Sequence, residues 1–184
     1  MVLDAALPPL KIQHIWFEMK KQQQWRSVAL VPLSDSIRVL GLAHCLGLMA
    51  VREPHDLVWI VNASSESGDQ VKPEEVSSER GEDAAFPYKF VNLDELGINK
   101  EKQLVTAERM LEKFQSQDDL RGKVIFVVDS LLGTTHGISL CRAVDKVILC
   151  VALKQTSFKS VRRTIEIIGR EKIMGSIVVH SNAS

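Results

Sequence analysis

Long apolar runs, glycine-rich loops, paired cysteines and an excess of either charge are all missing from this 184-residue chain. No apolar stretch reaches the roughly 20 residues that a membrane-spanning helix needs. No basic segment leads into a hydrophobic one near the N-terminus, so a cytoplasmic location is expected. Lys+Arg and Asp+Glu both number 23, so no overall field draws nucleic acid, although a local basic patch stays open. The three cysteines, Cys45, Cys141 and Cys150, sit inside apolar segments without CxxC or metal-type spacing, which points to buried, reduced thiols. There is no G-x-S-x-G nucleophile elbow, no G-x-G-x-x-G dinucleotide loop and no H-E-x-x-H zinc pair. No catalytic group, no metal ligand and no cofactor is therefore expected.

What is present has the balance of an ordinary globular domain, with 45% hydrophobic and 25% charged residues. Residues 1–9 read as a loose lead-in closed by Pro8-Pro9, and residues 10–184 as one domain. Ile12, Ile15, Trp16 and Met19 fall at helical spacing and predict a first helix ending near Gln24. "SVALVP" is a short apolar run of the kind buried on both faces of a parallel sheet, and "DLVWIVN", "YKFVNL", "GKVIFVVDS", "KVILCVAL" and "KIMGSIVVH" read as further strands. Between them lie a nearly all-apolar helix capped by Ser34 or Ser36 and running to about Arg52, and an amphipathic helix in "NKEKQLVTAERMLEKFQ". A short helix near 138–144 follows a loop with Gly133 and Gly137. The last is a capped helix in "TSFKSVRRTIEIIG" with Phe158, Val161, Ile165 and Ile168 inward. The segment 63–85 is a long polar loop. Strands alternating with helices predict a three-layer α/β/α fold around a mostly parallel sheet. Ligands of such sheets bind beyond the carboxyl ends of the strands, here Pro32–Ile37, Asn62–Gly68 and Asp129–Gly137.

The element order and three stretches, "VIFVVDSLLG", "AVDKVILCVALKQTSFKSVRRTIEIIG" and "MGSIVVHSNAS", resemble the P-loop ATPases of the MinD/ParA group. The likeness is greatest to the cytoplasmic kinase domain of bacterial tyrosine kinases that work with polysaccharide export machinery. It implies a P-loop NTPase-like fold, with a phosphate loop after the first strand and metal-linked aspartates ending two others. The residues depart from that pattern. Arg38 stands at the Lys position, Val39 at the hydroxyl position, and Asp35, Ser36 and Ile37 where glycines belong. Val39 cannot ligate Mg²⁺, and Asp35 would turn a negative charge toward a phosphate. Asn62 replaces one aspartate; Asp129 survives, followed by Ser130. The family's C-terminal tyrosine cluster is missing, Tyr88 being the sole tyrosine, and "IQHIWFEMKKQ" does not carry the Glu-x-x-Arg-x-x-Arg ring-forming pattern.

Single residues carry weaker alternatives. Arg38 could bind a phosphate or a sugar nucleotide, or simply stand solvated. Asp129 could hold a metal or cap a turn. His136 sits in a strand-end loop, and His44 reads as a satisfied core histidine. Arg162-Arg163 with Lys154 and Lys159 make a basic flank that is solvated or meets a partner or an anionic membrane surface.

Two functions follow. In the first the chain is a non-catalytic pseudo-ATPase or pseudokinase-like scaffold or regulator of exopolysaccharide synthesis or export. Its vestigial nucleotide site, Ser34, Asp35, Ser36, Arg38, Asn62, Asp129 and Ser130, would serve as an interface. Its partners would be a second copy, an intact homologue or a membrane-embedded export or synthesis protein that recruits it to the inner membrane. In the second it is a divergent ATPase or tyrosine kinase with Arg38 for the Lys and ATP with Mg²⁺ as cofactors. A third variant senses another anion in the same crevice without turnover.

Overall fold

The computed structural model describes residues 10–22, 25–50, 57–64, 88–92, 122–132 and 136–179. The lead-in over 1–9, the helix expected over 99–115, the polar loop beyond Ser64, Gly133, Thr135 and the end after Val179 lie outside these residues.

Six strands, β1 (Ser27–Pro32), β2 (Leu57–Asn62), β3 (Tyr88–Asn92), β4 (Gly122–Val127), β5 (Lys146–Ala152) and β6 (Ile173–Val179), form one sheet in the order β3-β2-β4-β1-β5-β6. Every pairing is parallel. All six residues of β1 are buried, because the strand is flanked in the sheet and covered above and below. Its register sets the small Ala29 beside Phe126 of β4 and Val147 of β5.

Side chains alternate between two cores, as the two-residue period of a strand requires. Val28, Leu30, Val58, Ile60, Ile125, Val127 and Ile148 pack with α1 (Leu10–Lys21) and α2 (Leu40–Ala50). Ala29, Val31, Val61, Phe126, Val147 and Leu149 pack with α3 (His136–Ala143) and α4 (Phe158–Ile168). The result is the three-layer α/β/α architecture, with an all-parallel sheet.

Side chains from distant segments close the backbone ends. Trp25 Nε1 donates to the Met19 carbonyl at 2.6 Å and ends α1 at Lys21, earlier than the sequence pattern predicts. Arg142 of α3 donates to the Ile167 carbonyl in the last turn of α4. Lys172 donates to the Arg142 and Val144 carbonyls at the end of α3. Arg142 thus meets the negative end of the α4 dipole, and Lys172, in the turn beyond α4, meets that of α3.

Asp145 performs a similar role at the amino edge of the sheet. Its Oδ2 accepts from the N–H groups of Arg26 and Ser27 at 2.7 and 2.8 Å and from the Ser27 hydroxyl at 3.0 Å. The Asp145 N–H donates back to Ser27 Oγ at 3.0 Å. One carboxylate thus joins the start of β1 to the start of β5. Asp145→Ala leaves buried Ser27 without its acceptor and should cost about 1–3 kcal/mol, read from the midpoint of urea unfolding.

Three expectations need correction. Phe158 points outward and is 84% exposed, because the first residue of α4 projects past the end of the sheet; Val161, Ile165 and Ile168 do pack inward. The short helix α3 starts at His136 and so includes Gly137, where a Cβ would lie 2.7 Å from Leu131 Cδ2. Cys141 and Cys150 are buried, and burial pushes both thiols up to about 12, but Cys45 is only half-buried. No helix among the described residues is long and apolar enough to cross a membrane.

Candidate functional site

The parallel register brings the ends of β1, β2 and β4 to one edge of the sheet, where an open α/β fold places its ligands. Ser34, Asp35, Ser36 and Arg38 follow β1, Asp129 and Ser130 follow the neighbouring β4, and Asn62 ends β2 on the far side of β4. All seven residues thus share this edge.

The loop after β1 begins as an extension of the sheet, with the Leu33 N–H donating to the Cys150 carbonyl at 3.0 Å. It then turns, the Ile37 N–H donating to the Ser34 carbonyl at 3.1 Å. Ile37 and Val39 sink into the α1–α2 core with 5% and 4% exposure, while Arg38 between them stays in solvent. The Val39 carbonyl accepts from the Ala43 N–H, so α2 starts at Leu40 behind a residue with no hydroxyl. Neither serine caps this helix, contrary to the sequence reading. The chain spends those residues on burying Ile37 and Val39, and the two hydroxyls bond to each other at 2.8 Å. Ser36 Oγ also donates to Gln155 Oε1 at 2.7 Å, tying the loop to the β5–α4 connection.

A phosphate loop needs glycines so that consecutive N–H groups can wrap an anion. Here two aliphatic side chains are the loop's anchors, and its hydroxyls are engaged within the protein.

Asn62 is occupied as well. Its Oδ1 accepts from the N–H and the hydroxyl of Ser64 at 3.2 and 2.7 Å, and its Nδ2 donates to Asn92 Oδ1 at 3.2 Å. Asn62 and Asn92 are register partners, and both strands end in Val-Asn, a repeat that the sequence displays but that carried no meaning before the pairing was known. The Asn62 amide therefore closes an Asx turn and bridges two strand ends. Asp129 is half-buried and Ser130 buried, and both are engaged by neighbouring groups. Gln155 escaped the sequence reading because its partner Ser36 lies 119 residues away. The described residues contain no group of three or more His, Cys, Asp or Glu able to hold a metal.

His44 lies on α2 away from this edge. Its ring stacks on Phe90 at 5.1 Å and meets Tyr88 edge-on at 6.1 Å. Its Nε2 is buried with no hydrogen-bond partner among the described residues, so it is not the satisfied core histidine that the sequence suggests. Desolvation lowers its pKa below the ordinary histidine value. The unfolded chain then binds a proton at a higher pH than the folded one does. Stability should fall as pH drops from about 6.5 toward the folded value. His44→Phe should flatten that slope in pH-dependent urea unfolding. Gly47, one turn on, lets α2 approach, since a Cβ there would lie 2.8 Å from Ile60 Cδ1 and 3.0 Å from the Tyr88 ring.

No protein-family model and no curated protein sequence matches the chain. Solved structures do. The kinase domain of the Escherichia coli tyrosine kinase ETK is similar at 14% identity over 94% of this chain and 74% of that one, with TM-score 0.60. The VpsO kinase domain is similar at 12% identity over 94% and 97%, with TM-score 0.65. The chimerical protein CapA2B2 is similar at 11% identity over 98% and 88%, with TM-score 0.72. These likenesses establish the fold, that of bacterial tyrosine kinase domains.

Proposed function

We propose that this chain is a non-catalytic, pseudokinase-like scaffold or regulator that has kept the tyrosine kinase domain fold and given up phosphoryl transfer. The observation that carries this reading is the burial of Ile37 and Val39, which fixes the loop after β1 by its own side chains where the fold's enzymes hold phosphate. Phosphoryl transfer consists of positioned cations and metal around the phosphates, and this loop has no glycine to wrap them, no lysine and Val39 at the metal-ligating position, leaving Arg38 as its one cation. The occupied amide of Asn62 adds support, because it takes the place of an aspartate with its hydrogen bonds already made.

The edge bearing Ser34, Asp35, Ser36, Arg38, Asn62, Asp129 and Ser130 then acts as a contact surface, for a second copy or for an intact homologue. The setting, synthesis or export of bacterial exopolysaccharide, follows from the resemblance to kinases of that machinery. Incubation with ATP and Mg²⁺ tests the reading: the chain should release no phosphate and form no phosphotyrosine above the background of an Arg38→Ala variant. Mg²⁺-dependent turnover abolished by Asp129→Ala would instead support a divergent ATPase or kinase with Arg38 in the lysine's role.

A further inference from the structure

The sheet ends on one side in a strand without charge. Among the described residues β6 pairs with β5 alone, so the N–H and C=O groups along its other side have no ladder partner. Sheets ordinarily close such an edge with a lysine, a proline or a covering segment. The opposite edge strand, β3, contains Lys89, whereas "IMGSIVV" contains neither charge nor proline. Lys172, just before β6, is held on the Arg142 and Val144 carbonyls.

A bulge at Met174 leaves Gly175–Val179 as a regular run beside Ile148–Ala152. In this register Gly175, Ile177 and Val179 fall on the α1–α2 face of the sheet, and Ser176 and Val178 on the α3–α4 face. Gly175, Ser176 and Val178 are exposed, Val178 to 48%. A Cβ at Gly175 would meet nothing within 4 Å. The run is complementary to itself. Turned about a two-fold axis through Ile177, it sets Gly175 opposite Val179, Ser176 opposite Val178 and Ile177 opposite its own copy, each pair on one face. Both unequal pairs join a small residue to a β-branched one, and no like charges meet.

We propose that the β6 edge is a dimerisation surface, on which a second copy of this chain adds its own β6 antiparallel about Ile177 and the two sheets become continuous. The open backbone calls for an extended strand as occupant, and the self-complementary run identifies that strand as the copy's own. The two-fold axis closes the assembly at two chains. Pairing β6 with β3 of the next copy would instead continue without end, against a strand that contains Lys89. The contact uses none of the residues of the loop after β1, so it does not depend on what that loop binds.

Sedimentation velocity of the full chain over a range of concentrations tests it. The chain should pass from monomer to dimer with no larger species. Val178→Lys changes an exposed position twice in each dimer and should weaken dimerisation about tenfold or more. Its melting temperature should match the parent's at concentrations where both are monomeric. Ser176→Glu alone should weaken the dimer too. Combined in one chain, the two substitutions set unlike charges opposite each other on both sides of the axis and should restore it. Monomer at every concentration, a dimer indifferent to Val178→Lys, or no recovery in the combined variant would overturn the proposal. Open-ended growth would overturn it as well and point to a head-to-tail contact. A dimer broken by Arg38→Glu but not by Val178→Lys would assign the contact to the loop after β1 instead.

Discussion

Rebuilding the phosphate loop with Ile37→Gly and Val39→Thr should destabilise the protein by on the order of 4 kcal/mol or more and create no nucleotide site. Ile37 and Val39 are buried in the core shared by α1, α2 and the sheet. Removing an isoleucine side chain from such a place costs about 2–5 kcal/mol, and glycine adds roughly 0.5–1 kcal/mol of backbone entropy. Threonine is close to valine in size, but its hydroxyl enters a site occupied by a methyl group, which costs about 1–3 kcal/mol if it finds no partner. The positions are two apart and share neighbours, so the two costs do not simply add. Against a typical total of 5–15 kcal/mol the loss is large, and urea unfolding measures it directly. A variant that kept its stability and gained an Mg²⁺-ATP melting shift would mean that the loop rearranges freely, and would remove the main support for a vestigial site.

Trp16→Ala should have an effect of similar size, about 3–5 kcal/mol. The helix α1 lies on α2 and buries chiefly Trp16 and Met19, at 0% and 2% exposure, while Leu10 and Phe17 of the same helix remain in water. With so few anchors, the loss of the largest one should free the helix before the sheet unfolds. Hydrogen exchange over Leu10–Lys21 should then accelerate more than exchange in β1 and β4, and the melting temperature should fall by on the order of 10 °C. Trp16→Phe should keep most of the packing. Uniform exchange across the protein in Trp16→Ala would show instead that α1 and the sheet unfold as one unit.

The strands were legible because a parallel strand buried on both faces reads as a short unbroken apolar run, and "SVALVP" and "KVILCVAL" do so without ambiguity. The cap of α4 was legible because Ser157 acts on its own neighbours. The start of α2 was not. Ile37 and Val39 continue the apolar pattern of the helix in sequence, yet they belong to a turn that delays it to Leu40. Phe158 misled for the opposite reason: it fits the helical period, but its place at the first position carries it beyond the sheet. Asn62–Asn92, Ser36–Gln155 and the clamp made by Asp145 join residues 30, 119 and 118 apart, and a reading confined to local spacing has no access to them. The absence of loop glycines was visible in the sequence; the burial of Ile37 and Val39 that anchors the loop was visible only in the fold.

Thermal unfolding of the chain with ATP or ADP, with and without Mg²⁺, tests the central claim most directly. A ligand present at about 100 times its Kd stabilises the folded state by roughly 2.7 kcal/mol, a shift that melting curves resolve easily. The account expects the same melting temperature in every condition, because Ile37 and Val39 fix the loop that would have to wrap the phosphates. A rise that requires both nucleotide and Mg²⁺ would contradict it and return Asp129 and Arg38 to the roles of metal ligand and phosphate-binding cation.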